Sequence, residues 1–152
     1  MQSMNTSVRK YLVLLLTMLL LQSCAVYVAY GLYRTVTDIN ATLTLVDKSI
    51  TNIQGVLSEG KNLKRAAADG KLISTLAEKI PSLIQKDVAL ATKEKIVKLS
   101  GDLKFSSDDF TNKATAEDLP GAKKAYNDMT TTYGSFTDLM NDLSDSVGEP
   151  LR

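Results

Sequence analysis

The 152-residue chain has no histidine, no tryptophan and a single cysteine, Cys24. Histidine is the one side chain whose unperturbed pKa lies near neutrality. Its absence removes Ser-His-Asp and Cys-His nucleophile systems, and with them His-ligated zinc and haem. One thiol cannot close an intramolecular disulfide, so cysteine usage says nothing about the redox environment of the body of the protein. The net charge is only +1, and no overall field favours nucleic acid or an anionic surface. Carboxylate and lysine chemistry survive these exclusions, but no spacing singles them out. The chain reads as a non-enzyme with no cofactor and no resident metal.

What the chain does have begins at the N-terminus. "MQSMNTSVRK" is polar and ends in Arg9 and Lys10, and "YLVLLLTMLLL" (11–21) follows without a charge. A basic segment followed by an apolar run of about 7–15 residues is the form of a secretory signal. The run closes on Leu21-Gln22-Ser23-Cys24, so the only cysteine stands where a cleavage region would end.

Residues 4–24 resemble the bacterial lipoprotein signal with its lipobox. Leu21 is the aliphatic residue three before the cysteine, Ser23 the small residue just before it, and 11–20 the uncharged stretch. The resemblance implies that residues 1–23 are a removed signal peptide. Cys24 would then become the mature N-terminus, lipid-modified on sulfur and acylated (palmitate) on nitrogen. More than one acyl chain is what holds a protein firmly to a bilayer. Ala25, which is not aspartate, would favour the outer membrane if the source is Gram-negative.

Geometry supports a rival. Residues 11–33 are an uninterrupted uncharged run, roughly 34 Å of helix against a hydrocarbon core of about 30 Å. Tyr27, Tyr30 and Tyr33 sit at one end like an interfacial aromatic belt. On this reading residues 1–33 are an uncleaved transmembrane anchor. In either case the positive N-terminal flank places the body on the extracytoplasmic side.

The body, 24–152, is expected to be all-α. Leu32, Val36, Ile39, Leu43, Val46, Ile50, Ile53 and Leu57 step 4, 3, 4, 3, 4, 3, 4, a sustained heptad with a narrow apolar seam. Gly60 is placed to end that helix. Ala122, Tyr126, Met129, Tyr133, Phe136, Met140, Leu143 and Val147 repeat the pattern. Pro120 would lie in their first turn, with Gly148 and Pro150 as stops. Between them, Leu63, Ala66, Gly70, Ile73, Ala77 and Ile80 predict a second helix ending at Pro81, with a break possible near Gly70. Ile84, Val88, Ala91, Ile96 and Leu99 predict a third, closed by Gly101. Ser106, read as an N-cap, predicts a further short helix near 107–116. One apolar stripe per helix is buried economically only in a bundle. The expected architecture is therefore a membrane-anchored antiparallel bundle of about four helices with a long N-terminal helix.

Residues 61–104 carry ten basic and five acidic side chains, and residues 105–152 four basic and nine acidic. Oppositely charged neighbours flanking the seams of one bundle is the plain reading of that asymmetry; a basic face for an acidic partner is the functional one. The stripe Tyr126, Met129, Tyr133, Phe136 and Met140 has core spacing, though such a stripe can also line a cleft. Asp138, Asp142 and Asp145 lack the compact oxygen-rich loop that a hard cation needs. "GKNLKR" (60–65) has a lone glycine and no preceding strand, so it specifies no phosphate cradle. Asn40-Ala41-Thr42 is a chance-prone glycosylation triplet. Cys24, as a lipidation site, is the one residue assigned a defined role. The expected function is that of a lipoprotein of the bacterial cell envelope: a non-catalytic interaction or structural component. Its partners would be the membrane and a protein, or a second copy met through helix faces, without nucleic acid. The alternative is a signal-anchored sensor or ligand-binding domain.

Overall fold

The computed structural model describes the backbone of residues 6–146 and the side chains of residues 29–146. Four helices follow in order: α1 (Thr6–Glu59), α2 (Leu63–Lys79), α3 (Leu90–Thr115) and α4 (Leu119–Ser146), with a 3-10 turn, Ile80–Leu83, after α2. No strand occurs among the described residues. Each helix touches its two neighbours around a square, α1 against α2 and α4, and α3 against α2 and α4. α1 and α3 stand across the diagonal.

The order is up-down-up-down. Position 70 of α2 meets Phe110 and Thr111 of α3, and Ser74 bonds Asp108. Partners that climb one helix as they descend the other define an antiparallel pair. At one end the α1–α2 turn sits beside the α3–α4 turn: Gly60 approaches Leu119 and Lys64 reaches Glu117 at 3.3 Å. At the other end the segment 84–89 folds over α1, where the Gln85 N–H donates to the buried Thr35 hydroxyl at 2.9 Å. Val88 is buried there too.

The α1 seam is where the heptad placed it: Val36, Ile39, Leu43, Val46, Ile50, Ile53 and Leu57 are all buried. The helix ends at Glu59, followed by Gly60 with φ +63, a left-handed conformation that glycine adopts without steric cost. In α4 the buried residues are Ala122, Ala125, Met129, Phe136 and Met140. Val147, Gly148 and Pro150 lie outside the described residues. Pro120 falls in the first turn, and the Asp118 carboxylate caps the helix by accepting from the Gly121 N–H at 3.0 Å.

The middle of the chain departs from the expectation. Residues 90–115 form one continuous helix, neither closed at Gly101 nor restarted near 107. The reason is a seam built partly of serine. Ile96, Ser100, Leu103, Ser107, Phe110 and Ala114 are buried and step 4, 3, 4, 3, 4. Ser106 is no N-cap; its hydroxyl turns back to the carbonyls of Asp102 and Leu103. Ser100 and Ser107 likewise bond the backbone of their own helix, which satisfies a buried hydroxyl and leaves it small. Small residues are needed because α2 comes close, presenting Ala66, Ala67, Gly70, Ser74 and Ala77. Ile84 and Val88, assigned to the third helix by periodicity, belong instead to the connection that precedes it.

α3 ends in a Schellman motif. The Glu117 N–H donates to Ala114 O at 3.2 Å and the Asp118 N–H to Lys113 O at 3.0 Å. Glu117 occupies the left-handed position, φ 58, usually held by glycine.

Candidate functional site

Cys24 lies within the span of α1, and its side chain falls outside the described residues, as does most of the uncharged run 11–33. Among the described residues no helix is long and apolar enough to cross a membrane. Tyr30 and Tyr33 are exposed; Tyr27 is outside the described side chains. The first buried position of α1 that can be described is Gly31, whose Cα faces Asp87 and Gln85 of the 84–89 segment.

The aromatic and methionine stripe of α4 divides in two. Met129, Phe136 and Met140 are fully buried core. Tyr126 and Tyr133 pack at its edge, and burial raises both phenol pKa values. Tyr133 also lines a shallow groove of about 230 Å³ between α1 and α4, with Asn40, Thr44, Asp47, Thr137 and Asn141. A second open groove of about 330 Å³ lies between α1 and α2, lined by Thr51, Asn52, Gly55, Glu59, Arg65 and Asp69. The α1–α2 groove is mainly polar, whereas the α1–α4 groove mixes polar side chains with Leu43 and Tyr133. Gly134 is not a site of close helix approach, since a Cβ there would meet nothing within 4 Å.

Asp138, Asp142 and Asp145 are exposed on α4. Among the described residues no group of three or more acids, cysteines or histidines stands where it could hold a metal ion. "GKNLKR" is the tight α1–α2 turn and the start of α2, with Gly60 and Asn62 both at positive φ. Every buried side-chain nitrogen or oxygen among the described residues has a hydrogen-bond partner. No buried polar group there is left waiting for a ligand.

Among the described residues two ion pairs join the basic stretch 61–104 to the acidic stretch 105–152, Lys64–Glu117 and Lys104–Asp108. Arg34–Asp38, Lys98–Asp102 and Lys104–Asp108 are i,i+4 pairs, and Lys64–Glu117 joins two elements distant in sequence. A half-exposed cluster that sequence reasoning missed ties α2 to α3. The Asp108 carboxylate accepts from Lys104 Nζ at 2.8 Å and from the Ser74 hydroxyl at 2.6 Å. Those two bonds hold the Asp108 carboxyl below the usual aspartate range, and the same contact raises Lys104. Its role is register: it fixes how far α2 slides along α3.

One surface feature carries no expectation from the sequence. Leu90, Val97 and Phe105 of α3 are 71%, 47% and 77% exposed, on a helix whose boundaries periodicity had misplaced. No protein-family model, curated protein or solved structure matches the chain.

Proposed function

We propose that the protein is an exported helical-bundle lipoprotein, tied to a membrane through lipid on Cys24, that serves as a non-catalytic interaction or structural component of the bacterial cell envelope. One observation carries the reading: the basic-then-apolar leader ends at the chain's only cysteine, Leu21-Gln22-Ser23-Cys24. Gly31 of α1 already packs against the 84–89 segment, so the body that a lipid on Cys24 would tether is a folded bundle. Tethering confines the bundle to two dimensions and raises its effective concentration for any partner on the same surface.

A single-pass anchor with an extracytoplasmic sensor or ligand-binding bundle is the second reading. It is favoured by the continuity of α1 from Thr6 to Glu59, about 81 Å at 1.5 Å per residue. One helix would then couple membrane and bundle without a joint.

Mass spectrometry of the protein extracted from membranes separates the two. A mature N-terminus at Cys24 bearing acyl mass is expected. Intact residues 11–23 on the mature chain would refute the lipoprotein and leave the single-pass anchor. Cys24→Ser should leave a larger, unprocessed chain; a size unchanged from wild type would count equally against the lipoprotein.

A further inference from the structure

We infer that the end of the bundle bearing Tyr30 and Tyr33 of α1 and Leu90 of α3 rests in the interfacial layer of a bilayer, an inference that builds on the anchored reading and names the surface of the body that touches lipid. Tyr33 stands 26 residues before Glu59 in α1, and Leu90 stands 25 before Thr115 in α3, about 38 Å of helix in each case. The C-terminal ends of those two helices share one end of the bundle, where Gly60 approaches Leu119 and Lys64 reaches Glu117. Tyr33 and Leu90 therefore reach the same level at the other end. Local contacts agree. A Cβ on Gly31 would lie 3.4 Å from Asp87 Cβ, the Gln85 N–H donates to Thr35, and Lys93 Nζ donates to the Lys86 carbonyl at 2.7 Å. The 84–89 segment and the first turn of α3 are thus tied together beside residues 31–35.

The uncharged run 11–33 ends at this level, with Arg34 the first charge after it, and α1 passes through unbroken. Exposed here are Tyr30 at 60%, Tyr33 at 37% and Leu90 at 71%, with Ala89 and Ala91 beside Leu90. Tyrosine favours the headgroup level, where its ring is in apolar surroundings and its hydroxyl is wet. An arginine next to it can lay its stem along the same layer and keep its charge in water. Leu90 is far from this run in the chain, and only the fold brings it to the height at which the run ends.

The occupant follows from where the anchor lies. Whether lipid on Cys24 or the span 11–33 holds the chain, the bilayer is on the Tyr33 side of the bundle and away from Gly60. Charge at this end is of mixed sign, with Arg34, Lys86 and Lys93 among Asp38, Asp87, Glu94 and Asp145. The contact is therefore apolar and aromatic, and the helices stand upright on the membrane.

The chain has no tryptophan, so one introduced indole is the sole reporter. Full-length Tyr33→Trp, Leu90→Trp and Phe105→Trp chains are extracted from membranes and reconstituted in phosphatidylcholine vesicles, with or without bromine near the glycerol end of the acyl chains. Phe105 is comparably exposed, at 77%, but lies about 22 Å further along α3 from the bilayer. Bromine should quench Tyr33→Trp and Leu90→Trp several-fold more strongly than Phe105→Trp. The difference should persist at high salt, which screens charges and spares an apolar contact. Quenching of Tyr33→Trp with Leu90→Trp quenched no more than Phe105→Trp would overturn the inference and leave the anchor standing, with the bundle held off the surface. Loss of Leu90→Trp quenching at high salt would overturn the apolar contact. Chains that fail to float with the vesicles would overturn the anchored reading, and the inference with it.

Discussion

Two alanine substitutions test whether α2 and α3 are as close as their small residues imply. Gly70 is buried inside α2, and a Cβ built there would lie 2.6 Å from Thr111 Oγ1 and 2.7 Å from Phe110 Cδ1. Neither neighbour yields easily. Phe110 is fully buried, and the Thr111 hydroxyl is committed to Ser107 O at 2.7 Å. Gly55 is exposed in α1, with nothing within 4 Å of its would-be Cβ. Both substitutions relieve a mid-helix glycine and gain about 1 kcal/mol from propensity. At Gly70 alone, inserting a methyl group into a filled space costs about 1–3 kcal/mol. Gly55→Ala should therefore stabilise by about 1 kcal/mol, while Gly70→Ala falls between no change and a loss of about 2 kcal/mol. The two variants should differ by roughly 4–12 °C in melting temperature, at about 4 °C per kcal/mol for a domain of this size. Far-UV circular dichroism of the full chain in detergent, by heat and by urea, reads this directly. A Gly70→Ala protein that gains as much as Gly55→Ala would refute the close α2–α3 approach and, with it, the reason given for serine in the α3 seam.

Three further substitutions probe local structure. Asp108→Asn should lower the melting temperature at pH 7. Asp108 has a depressed pKa in the fold, so its contribution is present above the ordinary value near 3.8 and lost as pH falls through the folded value. A scan from pH 7 to 2 should therefore show wild type and variant converging in acid, and a constant gap would refute the assignment. Glu117→Gly should stabilise by about 1 kcal/mol by relieving a left-handed non-glycine residue, less the few tenths that an exposed ion pair to Lys64 contributes; chemical denaturation measures it. Thr35→Val should cost about 1–3 kcal/mol by leaving the Gln85 N–H without its acceptor. Amide exchange should show residues 84–89 losing protection before the rest.

The two outer helices were legible because their seams are built of large apolar residues. In α1, isoleucine, leucine and valine recur at heptad spacing, and water is expelled from that stripe whichever helix covers it. The same holds for Met129, Phe136 and Met140 in α4. The antiparallel order goes with the short connections at Gly60 and at Glu117-Asp118, where Gly60 and Glu117 take left-handed conformations that turn the chain back.

The interior of the α2–α3 pair was decided only by tertiary structure. Ser100 and Ser107 are polar by any scale, and serine is read as a surface or capping residue. They belong to the core because Ala66, Ala67, Gly70 and Ser74 bring α2 close and leave room for nothing larger. That fact lives in the pair and in neither helix. Gly101 shows the converse: a residue that ends helices in isolation is carried through the middle of one, because buried contacts on both sides outweigh about 1 kcal/mol of propensity. Once α3 is continuous, Leu90, Val97 and Phe105 line up on its outer face, a surface that no reading with a break at Gly101 could contain. The sequence determined the all-helical class and the two outer seams, because large apolar residues at heptad spacing must be covered whatever covers them; three-dimensional packing determined which polar residues are core and which apolar residues are left in water.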